Sequence, residues 1–132
     1  MANLGNAKLF RGLPAKELKA IEKELKTVTH AAGHDIMVLG RDGIGFMIIT
    51  TGTVTVTTSH GKERKLGPGD SFGEMALLDH EGRSATIRAD SEVTLATIPE
   101  WNFKSFLKEH PEVAYRLLTA LSQRVRQAEA GD

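Results

Sequence analysis

The chain has 132 residues, with 17 basic and 17 acidic side chains and a formal net charge of +0 at pH 7. This length suits one domain with a single core and is too short for a second sizeable module. The balanced charge gives no overall basic field that would draw the chain to nucleic acid. Because it has no cysteine, disulfide frameworks and thiolate metal sites are excluded.

The first six residues lack the apolar segment of a secretory signal, and no stretch of the sequence approaches the length of a membrane span. We therefore expect a soluble cytoplasmic protein. We also expect a single domain over residues 1–132, with a helical segment at 1–26, a β-rich body at 27–99 and further helices at 100–132.

The chain opens with a helical pattern. Pro14 suits the first turn of a helix, and Leu18, Ile21 and Leu25 recur on one face with charged residues elsewhere. This pattern predicts an amphipathic helix that buries its apolar face.

Between residues 27 and 99 the pattern changes to short strands bounded by glycine, proline or polar turns. The strand signals are clearest at 35–39, 45–49, 53–57 and 92–96. Val54 and Val56 alternate with threonines, which predicts a strand with one wet face. Several strands spaced this closely favour a roll or jelly-roll over a parallel sheet.

Helical periodicity returns after Pro99. A first short helix is predicted from its apolar residues Trp101, Phe103, Phe106 and Leu107, and Pro111 starts a second. In the second, apolar residues recur at every fourth position, namely Val113, Leu117, Leu121 and Val125. The expected fold class is α+β: an antiparallel, jelly-roll-like β-roll flanked by an N-terminal helix and two C-terminal helices.

The chemistry of the chain concentrates between residues 72 and 86. A helical turn opening at Gly73 would present unpaired N–H groups and a positive dipole end to an anion. The carboxylate of Glu74 is a good acceptor for sugar hydroxyls. Arg83 provides a planar, permanently charged fork that matches phosphate oxygens. Together these residues predict a site for a small sugar phosphate.

The segment FGEMALLDHEGRSATIRA, residues 72–89, resembles the phosphate-binding cassette of cyclic nucleotide-binding domains. That pattern is F-G-E, an apolar residue, A-L, a short variable loop, and R-[STA]-A. Residues 9–14 and 66–70 also resemble the start and the strand-loop punctuation of the family. The resemblance implies a non-enzymatic β-roll sensor for cyclic AMP (cAMP) or cyclic GMP (cGMP), with a short phosphate-binding helix inside the roll.

The resemblance also implies a role for each site residue. The phosphate would be held by Arg83, Ser84 and the backbone amides of Ala76 and Ala85. The ribose would be held by Glu74 and Gly73. The base would be covered by the last helix through Leu121, Arg124 or Val125. Serine at position 84 favours cAMP, because a threonine there is associated with cGMP preference in that family.

Alternative interpretations remain for these residues. Arg83 could pair with Asp79 or Glu81 on the surface, and Glu74 could cap its own helical turn. The whole chain could be a roll-shaped interaction module that has lost nucleotide binding. It could equally be the sensor half of a larger DNA-binding regulator, channel or kinase.

The sequence offers no catalytic or metal constellation. Its histidines are scattered, at His30, His34, His60, His80 and His110, and show no metal-ligand spacing with carboxylates. No nucleophile has a plausible adjacent base. We therefore expect no enzyme activity, no metal and no cofactor. The expected partners are the cyclic nucleotide and an unidentified effector protein or domain. We expect this chain alone to contact neither nucleic acid nor a membrane, and to be a monomer or a homodimer.

Overall fold

The computed structural model describes residues 4–37, 45–58, 60–73 and 85–130, without the side chains of Asn6 and Met37. The helices in these ranges are a short 3-10 helix (Leu4–Asn6), α1 (Ala15–Glu24), α2 (Glu100–Glu109) and α3 (Pro111–Ala130). The strands are β1 (Lys26–His30), β2 (Asp35–Met37), β3 (Gly45–Thr51), β4 (Val54–Thr58), β5 (Glu63–Leu66), β6 (Ser71–Phe72), β7 (Ala85–Ala89) and β8 (Val93–Pro99).

Helix α1 forms where the sequence predicted it. Pro14 precedes its first turn with a φ of −57°, and Leu25 leaves the helix in an extended conformation. Ile21 is fully buried, and Leu18 and Leu25 pack beside it against the core. The predicted apolar face is therefore the face that joins this helix to the body of the protein.

The described strands form two antiparallel sheets, in the orders β1-β8-β3-β6 and β2-β7-β4-β5. Together with the flanking helices they make the predicted antiparallel β-roll. The alternation in β4 is also confirmed, because Val54 and Val56 are buried while the threonines between and after them are partly exposed. The first sheet is buried on both faces at β3 and β8.

Two apolar clusters lie on opposite faces of that first sheet. Along β3, Phe46 and Ile48 join the cluster that includes the helices, whereas Met47 and Ile49 join the cluster between the sheets. This division follows from the period of two in a strand, which sends successive side chains to opposite faces. A run of consecutive apolar residues in β3 is thus the signature of a strand covered on both sides.

Several strands were not among the clear sequence signals. β5 reads Glu-Arg-Lys-Leu and lies at a sheet edge, where charged side chains face water and protect the edge from unwanted pairing. β1 is also an edge strand, with a mostly exposed, polar sequence. In the segment predicted at 35–39, the strand covers Asp35–Met37, and its remainder lies outside the described residues.

The C-terminal helices begin at Glu100 and Pro111, as expected, but one member of the predicted apolar set is wrong. Trp101 is 79% exposed, and the Lys26 ammonium lies 5.8 Å from the centre of its ring. Phe103 and Phe106 are the buried residues of α2. Trp101 falls on the opposite side of the helix because it is two positions from Phe103, a spacing that does not share a face.

Candidate functional site

Most of the predicted phosphate and ribose site lies outside the described residues. Glu74, Ala76, Arg83 and Ser84 all fall in the range 74–84, as does the predicted phosphate-binding helix. Gly73 and Ala85, which border this range, are described. The structure therefore shows how the residues on either side of the site are held in the fold.

The described residues on either side of 74–84 contact the cluster between the sheets. Phe72 ends β6 and pairs with Met47 of β3, and it is 5% exposed. Ala85 begins β7 opposite Thr58 of β4 and packs against the same cluster. The two strands that flank these residues, β6 at the edge of one sheet and β7 inside the other, therefore share one apolar cluster.

Gly73 has a backbone conformation that explains its residue type. Its φ is +99°, in the region that residues with a Cβ seldom adopt. A side chain with a Cβ would be strained at this position, where the cassette pattern has glycine.

The turn before β6 is held by Asp70. Its Oδ2 accepts from the Gly67 N–H at 2.9 Å, and its Oδ1 lies 2.6 Å from the Lys8 ammonium. The turn is joined to β3 as well, since the Ile49 N–H donates to the Asp70 carbonyl at 2.8 Å. Burial alone would raise the pKa of Asp70, but the bonds from Lys8 and Gly67 outweigh it and lower that pKa. The ionised carboxylate thus fixes the strand that leads into the cassette.

The predicted lid residues lie in the second half of α3, where burial declines. Leu121 is half-buried against the helical cluster, Arg124 is partly exposed, and Val125 is 57% exposed. Earlier in the helix, Val113 and Leu117 are buried. The apolar stripe therefore continues beyond the part of α3 that the body of the protein covers.

A second cluster of ionisable groups joins α1 to the junction of α2 and α3. His110 is 5% exposed, and its ring nitrogens lie 3.1 Å from Glu17 and 2.8 Å from Glu24. No local sequence pattern indicates this cluster, since Glu17 and Glu24 are far from His110 along the chain and meet it only in the fold.

The histidines described by the structure differ in environment. His30 and His34 stack with ring centres 4.8 Å apart, and burial together with the neighbouring His34 lowers the pKa of His30. His60 is exposed in the turn after β4, and His80 lies outside the described residues. His110 has Glu24 and Glu109 nearby, with their ligand atoms within 4.8 Å of one another. Since carboxylates take both of its ring nitrogens, this arrangement is that of an ion pair.

Comparison with known proteins identifies the fold and its ligand class. The sequence profile described as "Cyclic nucleotide-binding domain" matches residues 27–110, which is well over half of the chain. The chain belongs to this family. The match includes the cassette and the whole roll, from β1 to the end of α2, so the family resemblance is confirmed.

The relatives of this cyclic nucleotide-binding domain are larger proteins of several kinds. A CRP-like cAMP-activated global transcriptional regulator of Mycobacterium tuberculosis is 29% identical over 93% of this chain and 57% of its own length. A cGMP-dependent protein kinase of Eimeria tenella is 36% identical over 89% of this chain and 11% of its own. The chain thus spans little more than half the length of the first of these relatives and a small part of the other.

Solved structures agree with this assignment. The catabolite activator protein of Thermus thermophilus superposes with a TM-score of 0.84 and 30% identity, over 93% of this chain and 60% of that one. The N-terminal domain of a Streptomyces coelicolor transcriptional regulator superposes with a TM-score of 0.71 and 29% identity, over 98% and 94% of the two chains. Among the helices that the structure describes, none is long and apolar enough to cross a bilayer.

Proposed function

We propose that this domain is a non-enzymatic sensor that binds cAMP in preference to cGMP and reports occupancy through α3. The observation that carries the proposal is the intact cassette inside the family match, with Glu74 and Arg83 both present. An interaction module that had lost nucleotide binding would have no need to keep these two charges.

In this proposal, different residues of the cassette bind the phosphate and the ribose. Arg83 and Ser84, with the amides of Ala76 and Ala85, hold the cyclic phosphate, since guanidinium and N–H groups are donors to anions. Glu74 accepts a hydrogen bond from the ribose 2′-hydroxyl, next to Gly73. The positive φ of Gly73 and the contacts of Phe72 and Ala85 with one apolar cluster support this assignment at the two described flanks of the cassette.

The proposed reporter is the second half of α3. Leu121, Arg124 and Val125 cover the base, and their incomplete burial by the rest of the domain supports this role. A ligand that binds better with the helix docked shifts the population by its difference in affinity for the two positions.

A direct titration tests the proposal. Calorimetry with cAMP, cGMP and the open-ring adenosine monophosphate should give the tightest binding for cAMP and the weakest for the open-ring compound, which carries additional charge.

The 2′-deoxy analogue of cAMP should bind more weakly to the parent, and Glu74→Gln should remove most of that difference because the paired changes are non-additive. Equal affinity for the ribose and deoxyribose ligands would refute the role of Glu74. No binding of either cyclic nucleotide would refute the function.

A further inference from the structure

His110 occupies the junction between α2 and α3. Its N–H donates to the Phe106 carbonyl at 3.0 Å at the end of α2, and its carbonyl accepts from the Ala114 N–H at 3.1 Å at the start of α3. Its ring packs on that of Phe106, with ring centres 4.8 Å apart. A change in the angle between these helices would therefore turn about this residue.

Both ring nitrogens of His110 face carboxylates of α1. Nδ1 lies 3.1 Å from Glu17 Oε2, and Nε2 lies 2.8 Å from Glu24 Oε2. An ionised carboxylate only accepts hydrogen bonds, so each contact requires a proton on the ring nitrogen. Both bonds therefore form only with the doubly protonated imidazolium, and a neutral ring would turn a lone pair toward one carboxylate.

Other charged groups also lie near the junction. Glu109 ends α2 and brings a third carboxylate close to His110 and Glu24. On α3, Glu112 is engaged by Arg116 at 3.2 Å. The side chain of His110 is only 7% exposed, so water cannot readily replace a lost carboxylate contact.

Helix α1, which carries both carboxylates, is itself anchored in the core. Ile21, between Glu17 and Glu24 on the same helix, is fully buried in the helical cluster. The two ion pairs therefore connect the α2–α3 junction to the core and not to a peripheral segment.

We propose that protonated His110 is a positioning residue whose ion pairs with Glu17 and Glu24, called the tie below, hold α1 to the α2–α3 junction. Cyclic nucleotide binding is then linked to proton binding. This inference rests on the proposed function, because it treats α3 as the element that responds to the ligand. If the two positions of α3 differ in how well the junction meets Glu17 and Glu24, ligand and proton affect each other's binding reciprocally.

The pH dependence of the tie has a definite sign. Burial acts to lower the pKa of His110, but the hydrogen bonds to Glu24 and Glu17 outweigh it and raise the pKa above its ordinary value of 6.5. A raised pKa in the folded state means that the tie contributes fully below about pH 6.5 and is lost as the pH rises through the folded-state value.

The tie is tested without ligand by denaturant unfolding from about pH 5.5 to pH 8.5, the range that spans histidine titration. The parent should lose stability as the pH rises, and His110→Gln and Glu24→Gln should remove most of that dependence. Glu22→Gln, an exposed neighbour on α1, should retain it. If His110→Gln fails to fold, Glu24→Gln keeps the test decisive because that side chain is only partly buried. A parent-like pH dependence in Glu24→Gln would overturn the tie.

The link to ligand is tested by calorimetric titration with cAMP near neutral pH in two buffers of different ionisation enthalpy, with a chelator present. The parent should take up or release a fraction of one proton per cAMP, the limit for a single group. Glu24→Gln should abolish that exchange and Glu22→Gln should keep it. Equal proton exchange in the parent and Glu24→Gln, or none in the parent, would overturn the link. Absence of any cyclic nucleotide binding would refute the proposed function and the link together, whereas the unfolding experiment would still decide the tie.

Discussion

Arg83 and Glu74 carry opposite charges into one proposed site, and each meets a different part of the ligand. A guanidinium beside a cyclic phosphate makes charge-assisted hydrogen bonds, which are stronger than neutral ones. A carboxylate there would be repelled by the phosphate, so Glu74 is suited to the sugar. The proposal therefore predicts that replacement of Arg83 and replacement of Glu74 weaken cyclic nucleotide binding in different ways.

Replacement of Arg83 by alanine should weaken cAMP binding by about 2–4 kcal/mol, the range for loss of one partner of a buried charge pair. The fold should survive. Calorimetry of the parent and the variant gives the comparison. Arg88→Ala is the matched control and should leave cAMP affinity unchanged, since Arg88 lies on the exposed face of β7 in a surface ion pair with Asp35. Loss of less than about 1 kcal/mol in Arg83→Ala would contradict the phosphate assignment.

At the scale of elements, α3 divides into an anchored half and an exposed half. Arg116 donates to the backbone carbonyls of Leu9, at 3.1 Å, and Arg11, and Val113 and Leu117 are buried. In the second half, Leu121 is half-buried and Val125 is 57% exposed. The first half keeps these contacts in both positions of α3, and its response is limited to the angle at the His110 junction. The larger change in exposure on ligand binding should therefore fall in the second half.

Hydrogen exchange measured with and without cAMP should therefore separate the two halves. Amides near Val113 and Leu117 should be protected in both states, because their opening requires the loss of core contacts. Amides from Leu121 to Arg126 should gain protection when ligand is present. Arg83→Ala, at a cAMP concentration that saturates only the parent, should show no gain. Unchanged exchange over Leu121 to Arg126 in the liganded parent would mean that α3 is a static part of the core.

At the scale of the whole molecule, the helices and the roll share strands β3 and β8. Ile98 and Ala96 of β8 face the helical cluster, whereas Leu95 and Val93 face the cluster between the sheets. A disturbance of one cluster is therefore transmitted to the other through the same two strands. The described parts of the domain should unfold as one cooperative unit.

Leu95→Ala tests that cooperativity. Leu95 is fully buried, and truncation of such a leucine costs about 2–5 kcal/mol of unfolding free energy. Scanning calorimetry should show one transition at a lower temperature, with equal calorimetric and van't Hoff enthalpies. Leu118→Ala, at an exposed position on α3, serves as the control and should change the free energy by less than about 0.5 kcal/mol. Two separate transitions in Leu95→Ala would show that the helical part and the roll fold independently.

The sequence by itself determined the clearly patterned helices and strands, and it predicted the chemistry of the site. Period-two alternation at Val54 and Val56 identified a strand, and the spacing of Leu18, Ile21 and Leu25 identified a helix, because each pattern is set locally by backbone geometry. The cassette was also readable, since its residue types and their spacing lie within one short segment. The charged strand β5 was not predicted, because an edge strand buries little and so needs no apolar pattern.

Only the tertiary structure decided which distant residues meet. The ion pairs of His110 with Glu17 and Glu24 join positions about 90 residues apart, and no local pattern records that contact. The tertiary structure also decided which side of α2 is covered, since Phe103 and Phe106 face the core and Trp101, on the opposite side, is left exposed. The division of α3 into covered and exposed halves follows from where the body of the protein ends, a property of packing that helical periodicity does not contain.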